Sequence, residues 1–254
     1  MGELRVRSVL VTGANRGIGL GLVQHLLGLP NPPEWVFAAC RDPKGQRELQ
    51  NLASKHPNLV IVPLVTEPAS IKAAAASVGE RLKDSGLNLL INNAGIGNNS
   101  SLDNVTQEDL AQMYATNTIG PLLLSQAFLP LLKKAAQGSP GSGLSCSKAA
   151  IINMSSYAGS IQDVYVWEYG QAISYRCSKA ALNMLTKCQS LGYREHGILC
   201  AAFHPGWVIT DMGGTIEDKV GEEAVIQAGT RVMSSLSEKD TGTFLDWEGK
   251  VLPW

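Results

Sequence analysis

Apolar, β-branched runs bounded by turn-forming residues recur along the chain. They lie at Val6 to Thr12, Trp35 to Cys40, Leu59 to Val65, Leu87 to Asn92, Ala149 to Met154 and Ile198 to Phe203, with a short last one near Phe244. Between them lie segments of helical length: Gly17 to Leu29, Lys44 to Lys55, Pro68 to Lys83, Thr106 to Ala136, Ala172 to His196 and Ile216 to Ser235. Thr106 and Asp109 have the spacing of a capping box. Strands alternating with helices require crossover connections, which are right-handed and place helices on both faces of a parallel sheet. The near-continuous hydrophobicity of the strands agrees, because both faces of such strands are buried. The expected fold is α/β: a single-domain, Rossmann-type doubly wound parallel sheet of about seven strands, spanning 1–254. The Gly- and Ser-rich segment Gly138 to Ser147 reads as an exposed, mobile connector.

Composition narrows the function classes. The 254 residues carry a formal charge of −1 with 44% apolar residues, and no basic tract is present, so a nucleic-acid partner is not expected and the ligand should be small. The first residues lack the apolar core and cleavage site of a secretory leader, and Gly2 is followed by Val6 where a myristoylation motif needs Ser or Thr. No run is long enough to span a membrane. A cytoplasmic location and no membrane partner are expected. Five cysteines without Cys-x-x-Cys spacing read as reduced, mostly buried thiols, and four scattered histidines give no metal site.

The first strand is followed by Thr12-Gly13-Ala14-Asn15-Arg16-Gly17-Ile18-Gly19 and then an apolar helix. Three glycines there permit a tight turn, close backbone approach to a pyrophosphate and close helix packing, while the helix N-terminus offers N–H groups and positive dipole charge. Without that context a glycine-rich turn is only geometry.

The Thr-Gly-x-x-x-Gly-x-Gly pattern resembles the nucleotide motif of the short-chain dehydrogenase/reductase family. Asn92-Asn93-Ala94-Gly95 is similar to that family's Asn-Asn-Ala-Gly, and Asn117, Ser156, Tyr175, Lys179 and Pro205-Gly206 fall in its order, so the resemblance covers essentially the whole chain. The runs His204 to Gly214 and Phe244 to Trp254 look like the sniffer-like (C-factor-like) carbonyl reductase subgroup. The resemblance implies a dinucleotide held by Gly13, Asn15, Arg16, Gly17, Ile18, Gly19, Arg41, Asn93, Ala94, Gly95, Tyr175, Lys179, Pro205, Gly206, Val208 and Thr210. It also implies a catalytic set of Asn117, Ser156, Tyr175 and Lys179.

Which dinucleotide binds turns on Ala38-Ala39-Cys40-Arg41-Asp42. An acidic residue at the strand end would hold both ribose hydroxyls of NAD, whereas an Arg offers charge-assisted bonds to a 2′-phosphate. Cys40 occupies the acidic slot and Arg41 follows, which with Arg16 favours NADP(H). Were the strand to end two residues later, Asp42 would favour NAD. The family's acidic adenine contact has no counterpart at Leu64 to Thr66, where backbone groups at Val65 are the candidate replacement.

At the reacting end, Tyr175 and Lys179 are four residues apart in a helical segment and so share a face. A neighbouring ammonium stabilises phenolate, so the Tyr175 pKa is expected to fall toward the range useful for proton exchange. Ser155 and Ser156 close the fifth strand, where loops of a parallel sheet open onto a ligand crevice. The resemblance favours Ser156 as the substrate-facing hydroxyl, with Ser155 inward or capping. Eighteen residues separate Ser156 from Tyr175, more than the family's usual spacing, and this added loop contains Tyr165, Trp167 and Tyr169. Asn117 lies four residues before Pro121, whose ring must free the Asn117 carbonyl and bend the helix. In the family that Asn backbone holds a water linked to the Lys.

The expected function is NADPH-dependent reduction of a small-molecule carbonyl, with Tyr175 as general acid. A non-catalytic NADP(H)-binding regulator and an NAD-dependent alcohol or steroid dehydrogenase are the alternatives. Substrate loops are expected near 95–101, 157–171 and 207–221, the last with a Gly213-Gly214 hinge. Tyr157, Tyr165, Trp167, Tyr169 and Trp207 fit an apolar or aromatic carbonyl, or simply lid packing. Family members include homodimers, tetramers and monomers, and the sequence does not choose among them.

Overall fold

The structure, a computed structural model, describes residues 2–41, 47–206 and 221–254. Seven strands form one sheet: β1 (Ser8–Thr12), β2 (Trp35–Cys40), β3 (Leu59–Pro63), β4 (Leu89–Asn92), β5 (Ala150–Met154), β6 (Leu199–His204) and β7 (Phe244–Asp246). Their order is β3-β2-β1-β4-β5-β6-β7 and every pairing is parallel. The helices are α1 (Gly17–Leu27), α2 (Arg47–Lys55), α3 (Pro68–Leu82), α4 (Gln107–Tyr114), α5 (Gly120–Gly138), α6 (Ile173–Gly192) and α7 (Glu222–Ser235). This is the expected doubly wound architecture. The start expected for the last helix, at Ile216, lies outside the described residues.

Side-chain alternation along the strands builds two cores, one on each sheet face. Val9 and Val11 of β1, with Leu89 and Ile91 of β4, pack toward α1 and α7. Leu10 and Leu90 point the other way, against Ile71 and Val78 of α3 and Leu124, Phe128 and Leu132 of α5. Burial on both faces explains why the strands read as continuous apolar runs.

Three local features differ from, or refine, the expectation. The long segment beginning at Thr106 is interrupted by a π-helical turn, Ala115–Ile119, in which the Gly120 N–H reaches back to the Ala115 carbonyl. Pro121 lacks an N–H, so the helix widens at this point. The capping box forms: Thr106 Oγ1 accepts from the Asp109 N–H and Asp109 Oδ2 from the Thr106 N–H, each at 3.1 Å. The Gly138 to Ser147 connector is not exposed throughout, because Leu144 and Cys146 are buried in the core beside α1. Of the five cysteines, Cys40, Cys146 and Cys200 are buried while Cys177 and Cys188 are exposed.

Between β1 and β4 the order of strand connection reverses, which opens a crevice at the carboxyl ends of these two strands.

Candidate active site

The glycine turn after β1 is shaped for close approach. Gly13 and Gly17 have φ of +62° and +51°, in the left-handed region that favours glycine. A Cβ at Gly13 would lie 2.9 Å from the Ala94 Cα, and one at Gly19 only 2.1 Å from the Gly13 carbonyl oxygen. The helix α1 begins with no side-chain cap at Arg16 and no acidic residue in its first turn, leaving an N-terminus suited to an anion. Asn15, Arg16 and Ile18 belong to this same turn and helix start. These features fit a pyrophosphate.

The strand ends are tied together. Thr12 Oγ1 accepts the N–H groups of Asn93 (2.9 Å) and Ala94 (3.0 Å), and Asn93 Nδ2 donates to the Thr12 carbonyl at 3.1 Å. The glycine turn and the segment Asn93-Ala94-Gly95 are thereby one unit. Thr12 was missed by sequence reasoning, although its place directly before Gly13 was visible.

The strand β2 ends at Cys40, and exposed Arg41 is the first residue beyond it. Asp42, on which the alternative register depends, lies outside the described residues. At the proposed adenine wall, the Val65 N–H is engaged by Ser70 Oγ at 3.0 Å, so that N–H is not spare for a base.

Ser156, Tyr175 and Lys179 meet at the carboxyl end of β5. Ser155 points inward, its Oγ donating to Asn183 Oδ1 at 2.6 Å. Ser156 caps a short 3-10 turn, Tyr157–Gly159, by accepting the Ala158 N–H at 3.1 Å, and its hydroxyl is hydrogen-bonded to the Tyr175 phenol. The Lys179 ammonium lies 5.8 Å from the Tyr175 ring centroid and donates to the Met154 carbonyl at 2.8 Å. A Cβ on Gly95 would sit 3.4 Å from Asn117 Oδ1 and 3.6 Å from Lys179 Nζ, so the loop after β4 closes the far side.

Electrostatics correct one expectation. Burial pushes the Tyr175 phenol above its ordinary value, opposed by the Ser156 hydrogen bond, whereas a fall driven by the ammonium was expected. The ammonium faces the Met154 carbonyl and desolvation outweighs it. Burial also lowers Lys179 from 10.5 to about 8. At neutral pH the phenol is therefore protonated and the lysine still mostly charged.

Asn117 is fully buried in the π turn. Its Oδ1 accepts the Ile96 N–H and its Nδ2 donates to the Ile96 carbonyl, each at 2.9 Å, and Nδ2 also donates to Ser178 Oγ at 3.0 Å. The side chain thus clamps the loop after β4 to α6, a role the sequence reading, centred on the Asn117 carbonyl, did not foresee.

Two of the expected substrate loops form one rim. Ser100 Oγ and Ser174 Oγ are 3.1 Å apart, and Gln171 Oε1 accepts the Leu102 N–H at 2.8 Å. Arg176 donates to the Gln171, Tyr165 and Gly170 carbonyls and lies under the Trp167 ring, 5.9 Å from its centroid. After β6, Pro205 and Gly206 turn over Trp247, with Gly206 at φ +86°. Val208, Thr210, Trp207, the Gly213-Gly214 hinge and 207–220 of the third loop lie outside the described residues.

A family model described as short chain dehydrogenase matches residues 7–221. The chain belongs to the short-chain dehydrogenase family. Family membership makes it an oxidoreductase. Its whole length is similar to an NADPH-bound carbonyl reductase from chicken fatty liver, at 76% identity and a TM-score of 0.97, covering 100% of this chain and 96% of that one. The carbonyl reductase Sniffer of D. melanogaster is 40% identical with a TM-score of 0.94, covering 98% and 100%. The C-signal protein of Myxococcus xanthus is 34% identical over 169 residues, 66% of this chain and 93% of that protein. The family resemblance read from the glycine turn, Asn92 to Gly95 and the Tyr175 and Lys179 pair, and the sniffer-like resemblance read from His204 to Gly214 and Phe244 to Trp254, agree with these relationships.

Proposed function

We propose that this short-chain dehydrogenase is an NADPH-dependent carbonyl reductase acting on small aldehydes or ketones. The observation that carries the reading is the meeting of a protonated, partly exposed Tyr175 with Ser156 at the carboxyl end of the sheet, beside a glycine turn shaped for a pyrophosphate. Arg41 directly after β2 supports recognition of the 2′-phosphate, as does the 76% identity to an NADPH-bound reductase. When bound, the cofactor supplies hydride to the carbonyl carbon.

The chain's own groups do the rest. The Ser156 hydroxyl and Tyr175 phenol hold the carbonyl oxygen, and Tyr175 gives up its proton to that oxygen as negative charge develops. The Lys179 ammonium stabilises the phenolate left behind and is itself oriented by the Met154 carbonyl. Asn117, at the π turn, keeps the Gly95 loop against Lys179, and its backbone is the proposed anchor for a water that returns a proton to the lysine. The rim residues Tyr165, Trp167 and Tyr169, each at least 37% exposed, offer apolar surface to an aromatic or otherwise apolar carbonyl.

Spectroscopic NADPH consumption against a panel of aldehydes, ketones and quinones tests this reading. Turnover is expected for wild type, and Tyr175→Phe should lower kcat by about 10²- to 10⁴-fold while NADPH binding persists. Unaltered turnover in Tyr175→Phe would remove the acid assignment. Tight NADPH binding with no oxidation across the panel would favour the regulatory alternative.

A further inference from the structure

The tail of the chain reaches back to the added loop between Ser156 and Tyr175. The Trp254 carbonyl accepts the N–H of Ile161 at 2.9 Å, the N–H of Gln162 at 2.8 Å and the Ser160 hydroxyl at 3.2 Å. Three donors from consecutive residues converge on one residue 92 to 94 positions away.

The acceptor is rigidly held. The Trp254 ring stacks on Phe244, with centroids 5.7 Å apart and planes 21° from parallel, and Phe244 is fully buried in β7. The preceding residues fold back as a tight hairpin: the Leu252 N–H donates to the Phe244 carbonyl at 2.7 Å, and Asp246 Oδ1 accepts the N–H groups of Glu248 and Lys250. Tyr157 and Trp254 both pack on the small cluster of Ala202, Phe244 and Leu252.

The loop end leads straight to the reacting groups. Tyr157 donates its N–H to His204 Nδ1 at 3.1 Å, and its phenol is bonded to Asp163, closing the segment on itself. Gly159 lies so close to α6 that a Cβ there would stand 2.8 Å from the Lys179 carbonyl carbon. The turn itself is held independently of the tail, so displacement of Ser160 to Gln162 shifts the Tyr157 to Asp163 segment beside Ser156 while Ser156 and Lys179 keep their own contacts.

We infer that Trp254 is a positioning residue that fixes the Tyr157 to Asp163 wall of the substrate cleft, and so helps determine which carbonyls fit beside Ser156. The specificity part rests on the reductase reading; the clasp itself does not. Among the described residues the clasp has no bond to the glycine turn, so nucleotide binding is separable from it.

The test compares wild type with Trp254→Ala, Trp254→Phe and a chain ending at Leu252. Amide hydrogen exchange at Ile161 and Gln162 reads the clasp, and steady-state kinetics with NADPH read the wall, using one small aliphatic aldehyde and one bulky aromatic ketone. In Trp254→Ala and the shortened chain, protection at those two amides should fall about tenfold while the amides of β1 and β4 keep theirs. KM for the ketone should rise about tenfold, with kcat for the aldehyde and NADPH affinity nearly unchanged, and Trp254→Phe should restore both readouts. Unchanged protection at Ile161 and Gln162 in the shortened chain overturns the clasp. Loss of protection throughout the sheet, not restored by Phe, overturns the positioning role in favour of a contribution to folding alone. Lost protection confined to the loop in a protein that reduces no carbonyl supports the clasp and overturns the reductase reading instead.

Discussion

In the proposed function, Arg41 and Lys179 are the single side chains that set the chemistry at the two ends of the cleft. Cys40 ends β2 where a ribose-binding carboxylate would repel a phosphate, and Arg41 follows it, so the proposed 2′-phosphate contact falls to the Arg41 guanidinium. Arg41→Asp removes a charge-assisted contact and adds repulsion, and it should weaken NADPH binding by about 10- to 100-fold while NADH binding holds or improves. Fluorescence titration with the two cofactors checks this, and an unchanged preference would locate the phosphate contact elsewhere. Lys179 has its pKa lowered to about 8 by burial, from 10.5, so its charge is present at pH 7 and lost as pH rises through 8. If the ammonium serves the cofactor, NADPH affinity should fall as much as about tenfold between pH 7 and pH 9, and Lys179→Met should flatten that profile. A wild-type profile that stays level across this range counts against a role for the charge in binding.

The turns and helix starts at the carboxyl edge of the sheet carry most of the site. The turn from β1 into α1 works because Gly13, Gly17 and Gly19 remove three side chains from a space shared with Ala94 and Asn93. The consequence is position-specific. Alanine at Gly19 would put a Cβ 2.1 Å from the Gly13 carbonyl oxygen and 2.6 Å from Asn93 Nδ2, so the turn must open and the tie between β1 and β4 must break. Gly19→Ala should abolish measurable NADPH binding. By contrast, the nearest atom to a Cβ on Gly28, which ends α1 at φ −89°, lies at 3.4 Å, so Gly28→Ala should bind NADPH as wild type does. Calorimetric titration of the two variants distinguishes packing at the turn from helix propensity, and equal losses would refute the assignment. The π turn at Ala115–Ile119 has a comparable local origin in Pro121, and it was legible only as a bend: a proline reveals that a helical bond is missing, not which alternative pairing replaces it.

At the scale of the whole molecule, what could be read from the chain was what depends on local pattern. Apolar runs ending in Thr12, Cys40, Asn92 and Met154 located strand ends to within a residue, because sheet burial on two faces leaves no polar positions to blur the signal. The glycine turn and the Tyr175 and Lys179 pair were legible for the same reason, each being a short-range geometry. The contacts that were not legible join distant segments: Asn117 to Ile96 and Ser178, Trp254 to Ile161, and His204 to Tyr157. No spacing rule announces them, since they exist only once β4, β5, β6 and the tail are side by side. His204 shows that such a contact has a thermodynamic signature. Burial lowers its pKa to about 4, against a weaker opposing influence of Asp246, and Nδ1 is already an acceptor for the Tyr157 N–H. The unfolded chain takes up the proton near pH 6.5 and the native state only near 4, so native stability is full above 6.5 and is lost as pH falls toward 4. Between pH 7 and pH 5 this one group should cost about 2 kcal/mol. Urea unfolding of wild type and His204→Gln, whose amide oxygen can accept the same N–H without titrating, isolates that contribution from the carboxylates shared by both proteins. The wild type should lose the larger amount of stability on acidification; identical losses would show that the imidazole is protonated in the native state without penalty and that Tyr157 is held by other means.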